Sequence, residues 1–246
     1  MISTLRRISI PSVIVSVEGN IGSGKSTFVE NLRKQYSGKS LINESDTVEM
    51  NFVFVQEPVD SWMEIKDKDG KDMLSKFYED QNKYSFAFQM MAYISRLSLL
   101  KKTYKENATN TIIITERSVH TDRHVFAKML YDNKNIEDVE YQIYLKWFED
   151  FIEELPIFST IYLRTLPEIS HQRVEKRGRE GESIPLAYLR QCHEYHESWL
   201  NQENNVFVMD VSGDATKENQ DKWMDDFTSH LNRSLLTVVE KYQNSD

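Results

Sequence analysis

VIVSVEGNIGSGKSTFVENLRKQY, residues 13–36, is the stretch whose reading decides the fold. Its first six residues form an apolar run of strand length, and its last nine have helical spacing. Between them, Gly19-Asn20-Ile21-Gly22-Ser23-Gly24-Lys25-Ser26 fits G-x-x-x-x-G-K-[ST], and the strand–loop–helix setting is the context that gives this pattern meaning. Glycines let backbone N–H groups turn inward onto phosphate oxygens. The helix that follows adds the positive end of its dipole. Lys25 is then placed for β- and γ-phosphates and Ser26 for Mg²⁺. These eight residues, with Thr27, are the candidate phosphate-binding set. They identify a nucleotide binder without saying where its phosphate goes.

Outward from this loop, four further short apolar runs occur at 52–57, 111–116, 158–163 and 206–210. Longer segments of helical periodicity separate them, including 74–104 and 136–154, with a last amphipathic helix after Trp223. Strands alternating with helices predict a parallel sheet covered on both faces. The expected fold is an α/β three-layer sandwich: a five-stranded parallel sheet flanked by helices, in one domain over residues 1–246. Residues 1–12 are expected to be a flexible tail. They carry two arginines, four serine or threonine side chains and no acid, a composition similar to the end of a mitochondrial leader. A cytoplasmic protein is the expectation and a mitochondrial one the alternative.

Composition narrows the function. Hydrophobic residues make up 39% and charged residues 28%, and the net charge is −9. An acidic balance argues against a nucleic-acid partner, and no apolar run approaches the length a membrane helix needs. Cys192 is the single cysteine, in a helical pattern, and reads as a small packed residue. A GTPase-like switch would need DxxG after a strand and NKxD for guanine. Asp67-Lys68-Asp69-Gly70 sits in a charged loop, and Asn133-Lys134-Asn135-Ile136 lacks the aspartate.

A small-molecule kinase must bind an acceptor hydroxyl in line with the γ-phosphate and neutralise migrating charge. Candidates sit at strand ends, where ligands of such sheets bind. Glu57 is placed to accept a hydroxyl proton. Glu116 is placed to support Mg²⁺, directly or through water, and Arg117 to offset charge around Glu57 and the phosphates. Arg173, Arg177 and Arg179, followed by Gly-x-x-Gly spacing, read as an arginine-rich lid closing on phosphates. Tyr78, Gln89 and Arg96 are 11 and 7 residues apart, which returns them to nearly one helical face as a polar lining.

EPVDSW (57–62), YSFAFQ (84–89), ERSVHTDRHVFA (116–127), RGREGESIPLAYL (177–189) and HESWL (196–200) occur in one order. Together with the loop they resemble the deoxynucleoside kinase family, the non-zinc type that includes deoxycytidine, deoxyguanosine and mitochondrial thymidine kinases. The resemblance covers nearly the whole chain and implies transfer of the γ-phosphate of ATP, or another nucleoside triphosphate with Mg²⁺, to a deoxyribose 5′-hydroxyl. It implies that Glu57 is the general base, with Arg117 beside it and Glu116 near the metal. Gln89 then hydrogen-bonds the base edge, Tyr78 and Glu182 hold the sugar 3′-hydroxyl, and Trp62 and Phe126 wall the base pocket. The lid arginines meet donor phosphates, and Asp214 and Ala215 fall where the family's loop meets the donor base. Arg96 and Asp122, with Ala92 one turn before Arg96, match the branch that accepts cytosine and purines rather than thymine. A homodimer packed through helices is also implied; His193 and His196 read as structural.

Overall fold

The computed structural model describes residues 9–42, 48–152, 155–179 and 183–243. β1 (Val13–Glu18) is buried along its whole length, as a central strand covered on both faces must be. It runs through the glycine-rich loop into α1 (Lys25–Tyr36). The chain continues through β2 (Ser40–Ile42), β3 (Glu49–Val55), α2 (Val59–Glu64), α3 (Met73–Glu79), α4 (Gln81–Glu106) and β4 (Thr111–Glu116). After β4 come α5 (Val119–Thr121), a π-helical stretch (Asp122–Ala127), α6 (Lys128–Asp132) and α7 (Asp138–Ile152). β5 (Ile157–Arg164), α8 (Pro167–Arg177), α9 (Leu186–Leu200), β6 (Val206–Asp210) and α10 (Lys217–Gln243) complete it.

Among the described residues the sheet has six strands in the order β2-β3-β4-β1-β5-β6. β3, β4, β1, β5 and β6 are parallel, the five expected. The sixth, β2, is a three-residue antiparallel edge strand on β3, too short to leave a periodic signal. On one face, Phe28, Val29 and Leu32 of α1 meet Phe227, Leu231 and Leu235 of α10. On the other, Tyr93, Leu97 and Leu100 of α4 meet Tyr144 and Phe148 of α7. The chain leaves β1 for β3 and β4 on one side and reaches β5 and β6 on the other. The switch point, where a crevice opens at strand carboxyl ends, therefore lies beside β1.

Three boundaries differ from the sequence expectation. The helix expected over 74–104 is two helices, broken at Asp80. Asp80 leaves helical geometry, and its side chain accepts from Lys83 N, while Asp72 caps α3 through Ser75 N at 2.9 Å. β3 ends at Val55, so Glu57 lies in the loop beyond it. α10 begins at Lys217, ahead of Trp223, with Thr216 Oγ1 accepting from Asn219 N. Within the expected tail, Ile10 is buried and exchanges hydrogen bonds with Asn110; residues 1–8 lie outside those described. Among the described residues no helix is long and apolar enough to cross a membrane.

Candidate active site

The glycine-rich loop is built to approach other backbone closely. Gly22 has φ 78°, and a Cβ there would lie 2.4 Å from Ser170 O and 2.9 Å from Val174 Cγ2. The loop is thus seated directly on α8. Lys25, at the start of α1, is 4% exposed and folds back on the loop, donating to Gly19 O at 3.0 Å and Asn20 O at 2.6 Å. Burial, with the nearby Arg117 guanidinium, pulls its ammonium down to about 7 against the opposing field of Glu116. Arriving phosphates would restore the charged form.

Facing the loop is a compact ionic network. Arg117 sits just past β4 in left-handed backbone, φ 62°, and its Nη1 donates to Glu57 Oε1 at 2.9 Å and Oε2 at 3.0 Å. Arg96 of α4, 3% exposed, donates from Nη2 to Glu57 Oε1 at 2.8 Å and from Nε to Asp122 Oδ2 at 2.9 Å. Burial pushes the Glu57 carboxyl up, but Arg117 and Arg96 outweigh it and hold it well below the usual carboxylate range. For Asp122 burial wins over the pull of Arg96, and its carboxyl is raised. Ser26 Oγ donates to Glu116 Oε1 at 2.6 Å, which sets a hydroxyl beside a carboxylate at the mouth of the loop. Both are hard oxygen donors, and that pair fits Mg²⁺ held mainly by substrate phosphates.

These groups open onto one cavity of about 590 Å³. Its acceptor end is lined by Trp62, Tyr78, Gln89, Ala92, Arg96, Asp122 and Phe126, all singled out from the sequence. Tyr78 reaches it from α3 while Gln89 and Arg96 come from α4, so the shared lining survives although the single helical face does not. Gln89 is 1% exposed, and its Oε1 has no hydrogen-bond partner among the described residues. A buried acceptor that the protein leaves unpaired at a cavity wall is open to a hydrogen bond from whatever enters the cavity. Trp62 is fixed by Nε1 donating to Ser95 Oγ at 2.8 Å, and Phe126 carries the Arg117 guanidinium 5.1 Å above its ring.

The donor end is lined by the loop with Arg173, Arg177, Arg179 and Ala215. Arg173 is engaged in bracing: it donates to Ser23 O at 3.3 Å and to Val211 O and Gly213 O at 2.9 Å each. Asp214 does not line the cavity, but its charge acts on Arg173 and its carbonyl accepts from Asn219. Glu182 lies outside the described residues. Sequence reasoning missed Tyr188, Phe77, Phe88 and Leu74 as cavity walls. It also left Glu18 as a plain strand residue, although an acid closing an apolar strand was a signal. Cys192 is buried against Met129, and burial pushes its thiol up to about 12.

A phosphate loop at the switch point of a parallel sheet, with a carboxylate held between two arginines across the cavity, defines a P-loop phosphotransferase. The sequence profile of the deoxynucleoside kinase family matches residues 15–235. Deoxycytidine kinase 1 of Xenopus laevis is 34% identical over 84% of this chain and 84% of its own length. Deoxycytidine kinase of Mus musculus is 34% identical over 81% of this chain and 84% of its own. The mitochondrial deoxyguanosine kinase of Xenopus laevis is 30% identical over 77% and 73%. The chain belongs to the deoxynucleoside kinase family.

Proposed function

We propose that the protein transfers the γ-phosphate of ATP to the 5′-hydroxyl of a deoxynucleoside, favouring deoxycytidine or purine deoxynucleosides over thymidine, in nucleotide salvage. The observation that carries this reading is the single cavity that joins the phosphate loop to Glu57 and to the orphaned Gln89 acceptor.

Glu57 accepts the hydroxyl proton. Its low basicity is tolerable because proton transfer comes late in a loose transition state, so placement counts more than pKa. Arg117 keeps Glu57 ionised and, with Lys25, offsets the charge that builds on the moving phosphoryl group. Ser26 and Glu116 would hold Mg²⁺, which when bound neutralises phosphate oxygens. Gln89 receives an N–H of the base edge. Arg96 and Asp122 present a donor and an acceptor that exchange hydrogen bonds with amino- or keto-bearing bases and crowd a thymine methyl. Tyr78 and Glu182 hold the sugar, and Arg173, Arg177 and Arg179 close on the donor phosphates.

A homodimer is part of the proposal. Val139, Ile143 and Trp147 are exposed at four-residue intervals along α7, and Ile94 is exposed on α4, whose Tyr93 bonds Trp147 O. Such a stripe is more apolar surface than the core uses and suits a second copy.

The test is incubation with ATP–Mg²⁺ and each of the four deoxynucleosides, with mass-spectrometric detection of the 5′-monophosphate. Formation of dCMP or a purine monophosphate ahead of dTMP is the expected result. No monophosphate from any would overturn it, and ATP or GTP hydrolysis without acceptor would favour a switch instead.

A further inference from the structure

Glu18 closes β1, immediately before Gly19, and is fully buried. Among the described residues it forms no ion pair, and its carboxylate accepts hydrogen bonds only from hydroxyl and backbone groups. One oxygen takes Ser118 N at 2.8 Å and Ser118 Oγ at 2.7 Å, together with the Ser16 hydroxyl. The other takes the hydroxyl of Thr121. Ser118 lies in the turn after β4 and Thr121 ends α5, both about a hundred residues away in sequence.

That turn carries the arginine opposite the phosphate loop. Arg117 is a non-glycine residue at φ 62°, a conformation that side-chain-bearing residues adopt only when their surroundings impose it. The surroundings here are identifiable. Arg117 N donates to Val17 O at 3.0 Å, the Thr115 hydroxyl donates to Arg117 O, and the next residue is fastened twice to Glu18. Held this way, the side chain turns back over the strand end to Glu57, and its Nη2 lies 3.4 Å from Gly19 O. Through Thr121, Glu18 also grips the residue preceding Asp122, the partner of Arg96.

We infer that Glu18 is a positioning residue for phosphoryl transfer: its buried carboxylate locks the segment after β4 to the end of β1, directly before the phosphate loop, and so aims Arg117 at the reacting groups. It does not line the cavity. The inference rests on the kinase reading and on the role given there to Arg117. A carboxylate that merely satisfied the core would affect folding, with no special dependence on Arg117.

A double-mutant cycle separates the two. Glu18→Gln keeps the size but removes the charge and exchanges one accepting oxygen for a donating amide, so the Thr121 hydroxyl must turn round from donor to acceptor and the three remaining donors lose a charged acceptor. The expected result is a kcat about 10- to 100-fold lower, the scale of a misplaced catalytic group, with KM for ATP and deoxynucleoside within about threefold. Arg117→Ala should then cost at least about fivefold less in the Glu18→Gln background than in the wild type. Should Glu18→Gln not fold, Ser118→Ala and Thr121→Val run the same cycle, and Thr121→Ser should retain wild-type kcat. Full multiplication of the single effects, or an unchanged kcat, would overturn the inference while the kinase reading stands. A wild-type protein that forms no monophosphate would overturn both.

Discussion

Binding of the donor nucleotide should draw a proton from solution, and Lys25 is where it goes. The ammonium is pulled down to about 7 by burial and by Arg117, while its partners in the loop are neutral: two carbonyls, at 3.0 Å and 2.6 Å, and the Ser23 hydroxyl at 3.5 Å. Phosphates at that position favour the charged form and return it toward the ordinary lysine value near 10. At pH 8 a group titrating at about 7 is roughly nine-tenths neutral, so binding takes up about 0.9 proton. At pH 6.5 it takes up only about 0.25. Nucleotide affinity should accordingly weaken with a slope approaching tenfold per pH unit above 7. Titration calorimetry of Mg²⁺–ATP without acceptor, in two buffers of different ionisation enthalpy, reads the proton count directly. Lys25→Arg is the control, since a guanidinium stays charged whether or not the nucleotide is bound. Uptake below about 0.3 proton at pH 8, or equal uptake in Lys25→Arg, would refute the reasoning. The same depression has a stability counterpart. Between pH 7 and 10.5 the unfolded chain binds the lysine proton and the folded chain does not, so ligand-free stability rises with pH there, by up to about 1.4 kcal/mol per unit.

Glu57→Gln should lower kcat by about 10²- to 10⁴-fold, the range of a lost general base, while ATP binding measured by calorimetry survives; near-normal turnover would remove Glu57 from the chemistry. Arg96→Met combined with Asp122→Ala should raise kcat/KM for thymidine relative to deoxycytidine, read by competing the two substrates, and an unchanged ratio would sink the base assignment. Gly22→Ala places a methyl 2.4 Å from Ser170 O at a positive φ, which should cost about 2–4 kcal/mol in urea unfolding. On the proposed homodimer, the wild type should sediment at twice the chain mass and Trp147→Glu with Ile143→Glu should halve it at equal helicity; a monomeric wild type would overturn the dimer, and a variant that stays dimeric would place the contact elsewhere.

The parts of the fold legible in the sequence were those fixed by local pattern. The largely apolar runs of β1 and β4 announced strands, and the loop between β1 and α1 announced a phosphate ligand through its glycine and lysine spacing in a strand–loop–helix setting. β2 escaped because three residues on an edge bury too little to impose a pattern. The break at Asp80 escaped for a different reason. Glu79-Asp80-Gln81-Asn82-Lys83 are all tolerated in helices, and only the capping geometry of Asp80 shows that the chain turns there. That break brings Tyr78 into the cavity from a separate helix, so the expected lining was reached by another route.

The site divided along the same line. Glu57, Gln89, Arg96 and Arg117 were singled out because their types answer a chemical demand, whereas the cavity walls Leu74, Phe77, Phe88 and Tyr188, whose types read equally as core, were not. The sequence could name Glu57, Arg96, Arg117 and Asp122, but not that Arg96 grips both carboxylates at once, because pairing between α4, the β3 loop and the π-helical stretch is a property of the tertiary fold. Arg173 carries a second feature of this kind. Read as a lid residue from its spacing, it lines the cavity and also braces Ser23 to Val211 and Gly213, contacts that spacing does not announce. Glu18 is the extreme case. An acid closing an apolar strand signals a special position but not its partners, and its four donors come from Ser16, Ser118 and Thr121, three residues whose side chains look interchangeable with any polar filler. Groups that act on substrate declare themselves by type. Those that aim them, Glu18 behind Arg117 above all, are defined by what the fold places around them.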